Sequence, residues 1–156
     1  MADYLINKLE KEGKLRKQKA GFVQVEGLLG QAIADLAEAK KIVDIAERAT
    51  YVLAYMAMLK AGRALLLFKG YAPIDGAQHK TVVEVTSEIL GEKYRDLTAQ
   101  FETMRRKRNE MTYEAGSLVS LSESRQAFAD AIDLVQEILR QVKIHNPQME
   151  LKFNLG

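Results

Sequence analysis

One long apolar segment in the middle of the chain constrains the fold more than any other feature. Residues 49–68 are apolar almost all round a helix, and only Lys60 and Arg63 interrupt them with charge. A membrane span needs about 20 largely uncharged apolar residues, whereas the run before Lys60 covers only residues 49–59. A helix that is apolar on every side is otherwise covered by neighbouring helices. The segment therefore predicts the central, buried helix of a soluble protein and argues against membrane insertion.

Apolar residues repeat with the helical period on both sides of this central segment. Between Phe22 and Val43 they recur at steps of three, four or seven, which predicts a long helix with one buried stripe. Gly70 and Pro73 place the one obvious loop at 69–78, because both residue types end helices or form turns. Further helices are predicted at about 79–90, from 92 into the basic cluster at 105–108, and over a last stretch that Ser120 or Ser122 caps and Pro147 ends.

The two ends of the chain complete the predicted bundle. Within residues 1–19, the stretch from 3 to 19 alternates apolar and charged positions, which predicts an exposed amphipathic first helix. The tail at 145–156 either frays or lies against the body as an extended strand. A length of 156 residues suits one domain, with its core at 20–144. The predicted fold class is all-α, an up-and-down bundle of about five to six helices.

Two glycines lie inside the predicted helix at 22–43. Gly27 and Gly30 are three residues apart, and glycine costs about 1 kcal/mol against alanine in a helix interior. Close contact with a neighbouring backbone would explain them. Simple flexibility is the alternative.

Composition excludes several classes of chemistry. The chain has no cysteine, which excludes disulfides, cysteine-bound zinc and thiol catalysis. No glycine-rich phosphate loop, His-Glu-x-x-His or calcium-binding loop occurs, so neither a metal nor another cofactor is expected. The first residues lack the pattern of a secretory signal, and with the missing cysteines this predicts a cytoplasmic protein. The net charge is only +2, so any nucleic-acid contact must come from a local basic patch.

Such a patch occurs at residues 105–108, and Arg108 is its most informative member. On an ideal helix Arg108 falls in one apolar stripe with Leu97, Phe101, Met104, Met111 and Ala115. Burying an unpaired guanidinium costs several kcal/mol, so Arg108 must either meet a carboxylate inside the protein or face a cleft or a partner. The candidate internal carboxylates are Glu26, Asp35, Asp44 and Glu47.

Four stretches of the sequence together resemble a known family. They are residues 55–67 (YMAMLKAGRALLL), 69–73 (KGYAP), 78–80 (QHK) and 104–113 (MRRKRNEMTY). In order and spacing they resemble the HEPN family of small prokaryotic proteins, and the likeness covers roughly residues 20–144. The resemblance implies a helical bundle that is commonly dimeric and often encoded beside a minimal nucleotidyltransferase. Many members are metal-independent endoribonuclease toxins.

The family signature is an arginine, four to six residues and then a histidine, often with an asparagine directly after the arginine. Arg108 and Asn109 match its first half, and Tyr113 stands at the histidine position. The resemblance therefore implies Arg108, Asn109 and Tyr113 as catalytic residues. A free tyrosine is only about one part in a thousand ionised at pH 7, which argues against ordinary acid–base cleavage of RNA. A tyrosine hydroxyl is suited instead to orienting a phosphate or accepting a modifying nucleotide.

Helical geometry leaves the companion of Tyr113 open. Arg108 and Tyr113 lie about 140 degrees apart on a regular helix, whereas Arg106, Asn109 and Tyr113 share one face. Either the helix distorts before Tyr113, or Arg106 is the closer companion. We expect Arg105, Arg106 and Lys107 to gather phosphate by charge.

Three further polar residues are candidates for the same cleft. Lys60 and Arg63 line it if their helix lies beside the helix of Arg108, and otherwise they extend to solvent. His79 contacts phosphate, supplies the missing imidazole, or is an ordinary cap or surface residue. Tyr51 and Tyr55 are predicted to be core aromatics.

Two functional hypotheses follow. The first is a HEPN-like protein that binds RNA or a nucleotide and forms a homodimer. In this hypothesis it is the endoribonuclease toxin of a toxin–antitoxin pair, and its antitoxin is a nucleotidyltransferase. The second is a non-catalytic interaction module that partners a nucleotidyltransferase or homodimerises. A third possibility is that the basic cluster is only the solvated end of a helix and has no function.

Overall fold

The computed structural model of the chain describes residues 2–19, 21–74, 78–116 and 118–156. Within these ranges it contains six α-helices, one 3-10 turn and a sheet of two short strands. In chain order the elements are α1 (Ala2–Lys11), β1 (Leu15–Lys17), α2 (Phe22–Ile42), α3 (Glu47–Phe68), β2 (Tyr71–Pro73), α4 (Gln78–Leu90), the 3-10 turn Glu92–Tyr94, α5 (Arg95–Tyr113) and α6 (Leu121–His145). The predicted all-α helical bundle is confirmed.

The predicted central helix is α3. It contacts α2, α4, α5 and α6, and its fully covered side chains include Tyr55, Met58, Leu65 and Leu66. α3 is 22 residues long and apolar enough by composition to cross a membrane, but 61% of its most apolar window is buried inside the bundle. Core helices of soluble proteins have this character.

A side-chain cap sets the start of α6. The backbone N–H of Glu123 donates to the Ser120 hydroxyl oxygen at 3.0 Å, and the Ser120 N–H donates to a Glu123 carboxylate oxygen at 3.1 Å. These reciprocal bonds satisfy two donors that a helix start leaves without partners. Of the two predicted caps, Ser120 is therefore the one used.

The prediction of one helix over residues 3–19 is wrong. α1 ends at Lys11, and Gly13 turns the chain with a φ of 73° in the left-handed region, where glycine is favoured. The chain then forms β1, which pairs antiparallel with β2 in the register Leu15 to Pro73. The predicted loop at 69–78 thus contains a strand. Asp75 and Gly76 of that loop lie outside the described residues.

The C-terminal tail packs against the body of the protein. After α6 ends, Met149 is buried, and Leu151, Phe153 and Leu155 lie against the core without forming a strand. Of the two alternatives for the tail, the second is confirmed in that the tail lies against the body, but residues 146–156 do not form the expected strand.

The close backbone approach expected at Gly27 and Gly30 is not found. A Cβ atom built at either glycine meets nothing within 4 Å. The close approach is at Gly62 on α3, where a Cβ would lie 2.7 Å from Val82 Cγ1 and 2.9 Å from Thr86 Oγ1 on α4. Among the glycines that the structure describes, Gly62 is therefore the one that lets two helices approach closely.

Replacing Gly27 by alanine is expected to raise the free energy of unfolding by about 0.5–1 kcal/mol, because the methyl group has open space and alanine restricts the unfolded chain. Urea denaturation monitored by circular dichroism measures the change. Gly21→Ala is the matched control: Gly21 is the extended N-cap residue of α2, where alanine is unfavourable. Equal or lower stability in Gly27→Ala would contradict the prediction.

Candidate functional site

Arg108 lies on the inward-facing stripe of α5. Phe101 and Met104 on that stripe are fully buried, and Arg108 one turn further on is partly buried. None of the four carboxylates proposed as internal partners holds it. Asp35 pairs with Lys60 at 2.7 Å and Asp44 pairs with Arg125 at 2.8 Å, and in the described part of the chain the Arg108 guanidinium has no hydrogen bond or ion pair. Its charge is available to a ligand.

The three basic residues before Arg108 are engaged by carboxylates. Glu102 accepts two bonds from Arg105, at 2.6 and 3.0 Å, and one from Arg106 at 3.0 Å. Lys107 lies 3.6 Å from Glu123. Because these charges are already paired, their attraction for phosphate is weaker than the sequence suggests.

α4 brings His79 to the same place. The Tyr55 hydroxyl and His79 Nδ1 are hydrogen bonded at 2.9 Å, and the two ring centroids are 5.8 Å apart. Tyr55 is fully buried, with the Phe101 ring 6.0 Å away from its own. His79 Nε2 has no hydrogen-bond partner among residues 2–19, 21–74, 78–116 and 118–156. The imidazole is thus held through one nitrogen and presents the other.

Three guanidinium groups influence this pair of rings. Burial lowers the pKa of His79, and the positive charges of Arg108, Arg63 and Arg105 lower it further. Burial raises the pKa of Tyr55 to about 12, although the same arginines act in the opposite direction. Both rings are therefore uncharged at neutral pH and adjoin positive charge.

Arg63 extends to this cluster from α3, whereas Lys60 does not. Arg63 donates through Nη2 to the Gln78 side-chain oxygen, and its Nε is buried without a partner among the described residues. The ion pair of Lys60 with Asp35 directs Lys60 toward α2. Of the two charges in the central helix, the structure places only Arg63 at the candidate site.

Asn109 and Tyr113 lie on the outer face of α5. The helix runs without interruption to Tyr113, so no distortion turns Tyr113 toward Arg108. Tyr113 is 79% exposed, and Asn109 and Arg106 are exposed beside it. The three residues implied as catalytic by the resemblance therefore lie on two sides of one helix. The charge of Arg108 acts instead on His79 and Tyr55.

Tyr55 and Glu102 are the residues of this site that the sequence reasoning missed. A buried tyrosine normally has a hydrogen-bond partner for its hydroxyl, and this rule identifies Tyr55, which lies within the most apolar segment of the chain, as a candidate. Glu102 lies three and four residues before Arg105 and Arg106, the spacing at which helical side chains pair. Both signals are present in the sequence.

A groove of about 840 Å³ between α5 and α6 lies apart from this cluster. It is lined by acidic residues that include Asp96, Asp130 and Asp133, so it does not suit a phosphate. Within the described ranges, no three histidine, aspartate or glutamate side chains are grouped to hold a metal ion.

Comparison with known proteins identifies no relative of the chain. No family model matches the chain, and no curated protein or solved structure matches it. The proposed function below therefore rests on the geometry around Arg108.

Proposed function

We propose that the chain is a HEPN-like protein that binds the phosphate groups of RNA or of a nucleotide where α3, α4 and α5 meet. Arg108 is the principal ligand, with Arg63 and His79 beside it. The observation that carries the proposal is that the guanidinium of Arg108 is partly buried on an apolar stripe and has no partner among the described residues. A bound phosphate would supply the missing counter-charge, since a guanidinium donates to phosphate oxygens in a bidentate fork.

If the site cleaves RNA, His79 is better placed than Tyr113 for proton transfer. A neutral imidazole whose Nδ1–H donates to the Tyr55 oxygen carries a lone pair on Nε2, which is able to accept the proton of an RNA 2'-hydroxyl. The 2'-oxygen then attacks the adjacent phosphorus, and the bond to the 5'-oxygen breaks. Arg108 would stabilise the extra negative charge on phosphorus.

The biological setting belongs to the same proposal. We place the protein in the cytoplasm as a homodimer, and as the toxin partner of a nucleotidyltransferase antitoxin. The exposed Tyr113 and Leu118, each 79% accessible at the end of α5 and just beyond it, are apolar side chains that a partner would cover. These two residues favour the second hypothesis, a non-catalytic interaction module.

Arg108→Ala is expected to weaken binding of single-stranded RNA by about 10- to 100-fold, because a charge-assisted hydrogen bond is worth about 1.5–3 kcal/mol. Fluorescence anisotropy with a labelled oligoribonucleotide measures the affinity. Arg95→Ala is the matched control. Arg95 is an exposed arginine on the same helix, about 20 Å from Arg108 along the axis, and is paired with Glu92.

The same proteins incubated with structured and single-stranded RNA separate the two hypotheses. Cleavage by the wild type that Arg108→Ala abolishes supports the endoribonuclease. Binding without cleavage supports a non-catalytic RNA-binding protein. Equal RNA affinity in wild type and Arg108→Ala overturns the proposed site and leaves the interaction module.

A further inference from the structure

If a phosphate binds at the proposed site, the surroundings of His79 imply that the ring's protonation changes as well. The ring is partly buried and is hydrogen bonded through Nδ1 to Tyr55, and no carboxylate in the described part of the chain pairs with Arg108. A phosphate that binds Arg108 therefore brings negative charge close to an imidazole that burial and positive charge hold neutral. Phosphate binding therefore changes the charge of the site and favours protonation of His79 at the same time.

We propose that binding of a phosphate group beside Arg108 is coupled to the uptake of one proton by His79, and that Tyr55 is the positioning residue that holds the imidazole in both protonation states. The ligand is a phosphodiester or another singly or doubly charged oxyanion.

The Tyr55 hydroxyl suits this task because a hydroxyl both donates and accepts hydrogen bonds. In the neutral ring the hydroxyl either donates to a bare Nδ1 or accepts from Nδ1–H, according to the tautomer. When the ring is protonated, Nδ1–H donates to the hydroxyl oxygen, and Nε2–H is free to donate to the ligand. The 2.9 Å contact therefore survives protonation, whereas a phenylalanine at position 55 would provide neither bond.

The charged groups around the ring determine the direction of the coupling. Tyr55 and Arg63 face it from α3, and Arg105 and Arg108 act on it from α5. Two carboxylates act on the neighbours of the ring: Glu102 acts on Tyr55 and Arg105, and Glu84 of α4 acts on Arg105. The hydrogen bond from Arg105 lowers the pKa of Glu102, so Glu102 stays ionised near neutral pH. The arginines stay charged throughout this range. His79 is thus the group of this cluster that titrates there.

The sign follows from linkage. Burial and three cations hold the pKa of His79 below its ordinary value in the free protein, and a bound anion raises it. Between these two pKa values the complex carries one more proton than the free protein, so affinity rises as pH falls, by at most about tenfold per pH unit. Above and below that window, affinity is independent of pH.

The first test is an NMR titration of the histidine ring signals in the wild-type protein. The chain contains only two histidines, so His145, exposed at the end of α6, is an internal reference. Two probes keep a constant charge over the titration: sulfate and a short oligouridylate with phosphodiester groups. We expect saturating oligouridylate to raise the pKa of His79 and to leave the His145 signals unchanged. A response to sulfate as well would indicate an oxyanion site, and a response to the oligonucleotide alone a nucleic-acid site.

The second test measures oligouridylate affinity at about pH 6 and about pH 8. We expect the wild type to bind about three- to tenfold more tightly at the lower pH. His79→Gln, which keeps an N–H donor but does not titrate, should bind with no such difference, and Tyr55→Phe should show a reduced one. His79 is partly exposed, so we expect His79→Gln to fold. The NMR test uses the wild type. Both tests therefore remain informative if Tyr55→Phe fails to fold.

The outcomes distinguish this inference from the proposed function. Binding that requires Arg108 but leaves the pKa of His79 unchanged overturns the coupling and keeps the phosphate site. A pH dependence that persists in His79→Gln also overturns the coupling. Absence of binding by the wild type at either pH overturns both.

Discussion

Replacing Phe101 by alanine is expected to lower the free energy of unfolding by about 3–5 kcal/mol. The Phe101 side chain is 0% exposed and packs where α5 meets α3, with its ring 6.0 Å from that of Tyr55. Truncation removes buried apolar surface and leaves a cavity that helices on several sides prevent from collapsing. Domains of this size are stabilised by about 5–15 kcal/mol, so the change removes a large part of the total.

Equilibrium denaturation in urea measures the effect of Phe101→Ala, with the slope of the transition checked for constancy. Phe101→Leu should cost less than about 1.5 kcal/mol, because most of the volume is retained. Thr103→Ala, an exposed position on the same helix, should change stability by less than about 0.5 kcal/mol. A loss below about 1 kcal/mol in Phe101→Ala would show that α5 is not packed against α3.

Replacing Gly62 by valine is expected to destabilise the protein by about 3 kcal/mol, because there is no room for its branched side chain. The Cβ atom alone would lie 2.7 Å from Val82 Cγ1 and 2.9 Å from Thr86 Oγ1, inside van der Waals contact. Side chains on α4 must then shift or the two helices must separate, and overpacking of this kind costs about 1–3 kcal/mol or more. The midpoint of thermal unfolding should fall by about 6–12 °C.

A second substitution tests whether crowding is the cause. Val82→Ala removes the atom closest to the added Cβ, so Gly62→Val should cost less in the Val82→Ala background than in the wild type. Additive losses would mean that the two residues do not compete for space. Gly30→Ala, which has open space around the added methyl group, controls for glycine replacement in a helix.

Local patterns were sufficient to predict most of the helices. Helical periodicity marked α2 and α6, and Ser120 was one of two predicted caps, because a cap and a buried stripe depend on residues within a few positions of each other. The pairing of β1 with β2 was missed for the opposite reason. Leu15 and Pro73 are far apart in the chain, and neither three-residue strand carries an alternating pattern long enough to recognise.

At the candidate site, too, local features could be predicted from the sequence and long-range contacts could not. A charge in an apolar stripe singled out Arg108 without any coordinates, because burying charge is costly wherever it occurs. The identity of its neighbours depended on which faces of three helices meet. Tyr113 is nearer to Arg108 in sequence, yet α5 turns it outward, and His79 approaches from another helix.

The order of residues by itself determined that this chain forms a helical bundle around residues 49–68 and that Arg108 is an unusual charge within it, since period, capping and desolvation cost act over short distances along the chain. Tertiary structure alone decided that Gly62 is a point of close helix contact, that Lys60 pairs with Asp35, and that Tyr55 holds His79 near the charge of Arg108. Those outcomes depend on helix rotation and crossing, which distant side chains set together when they pack.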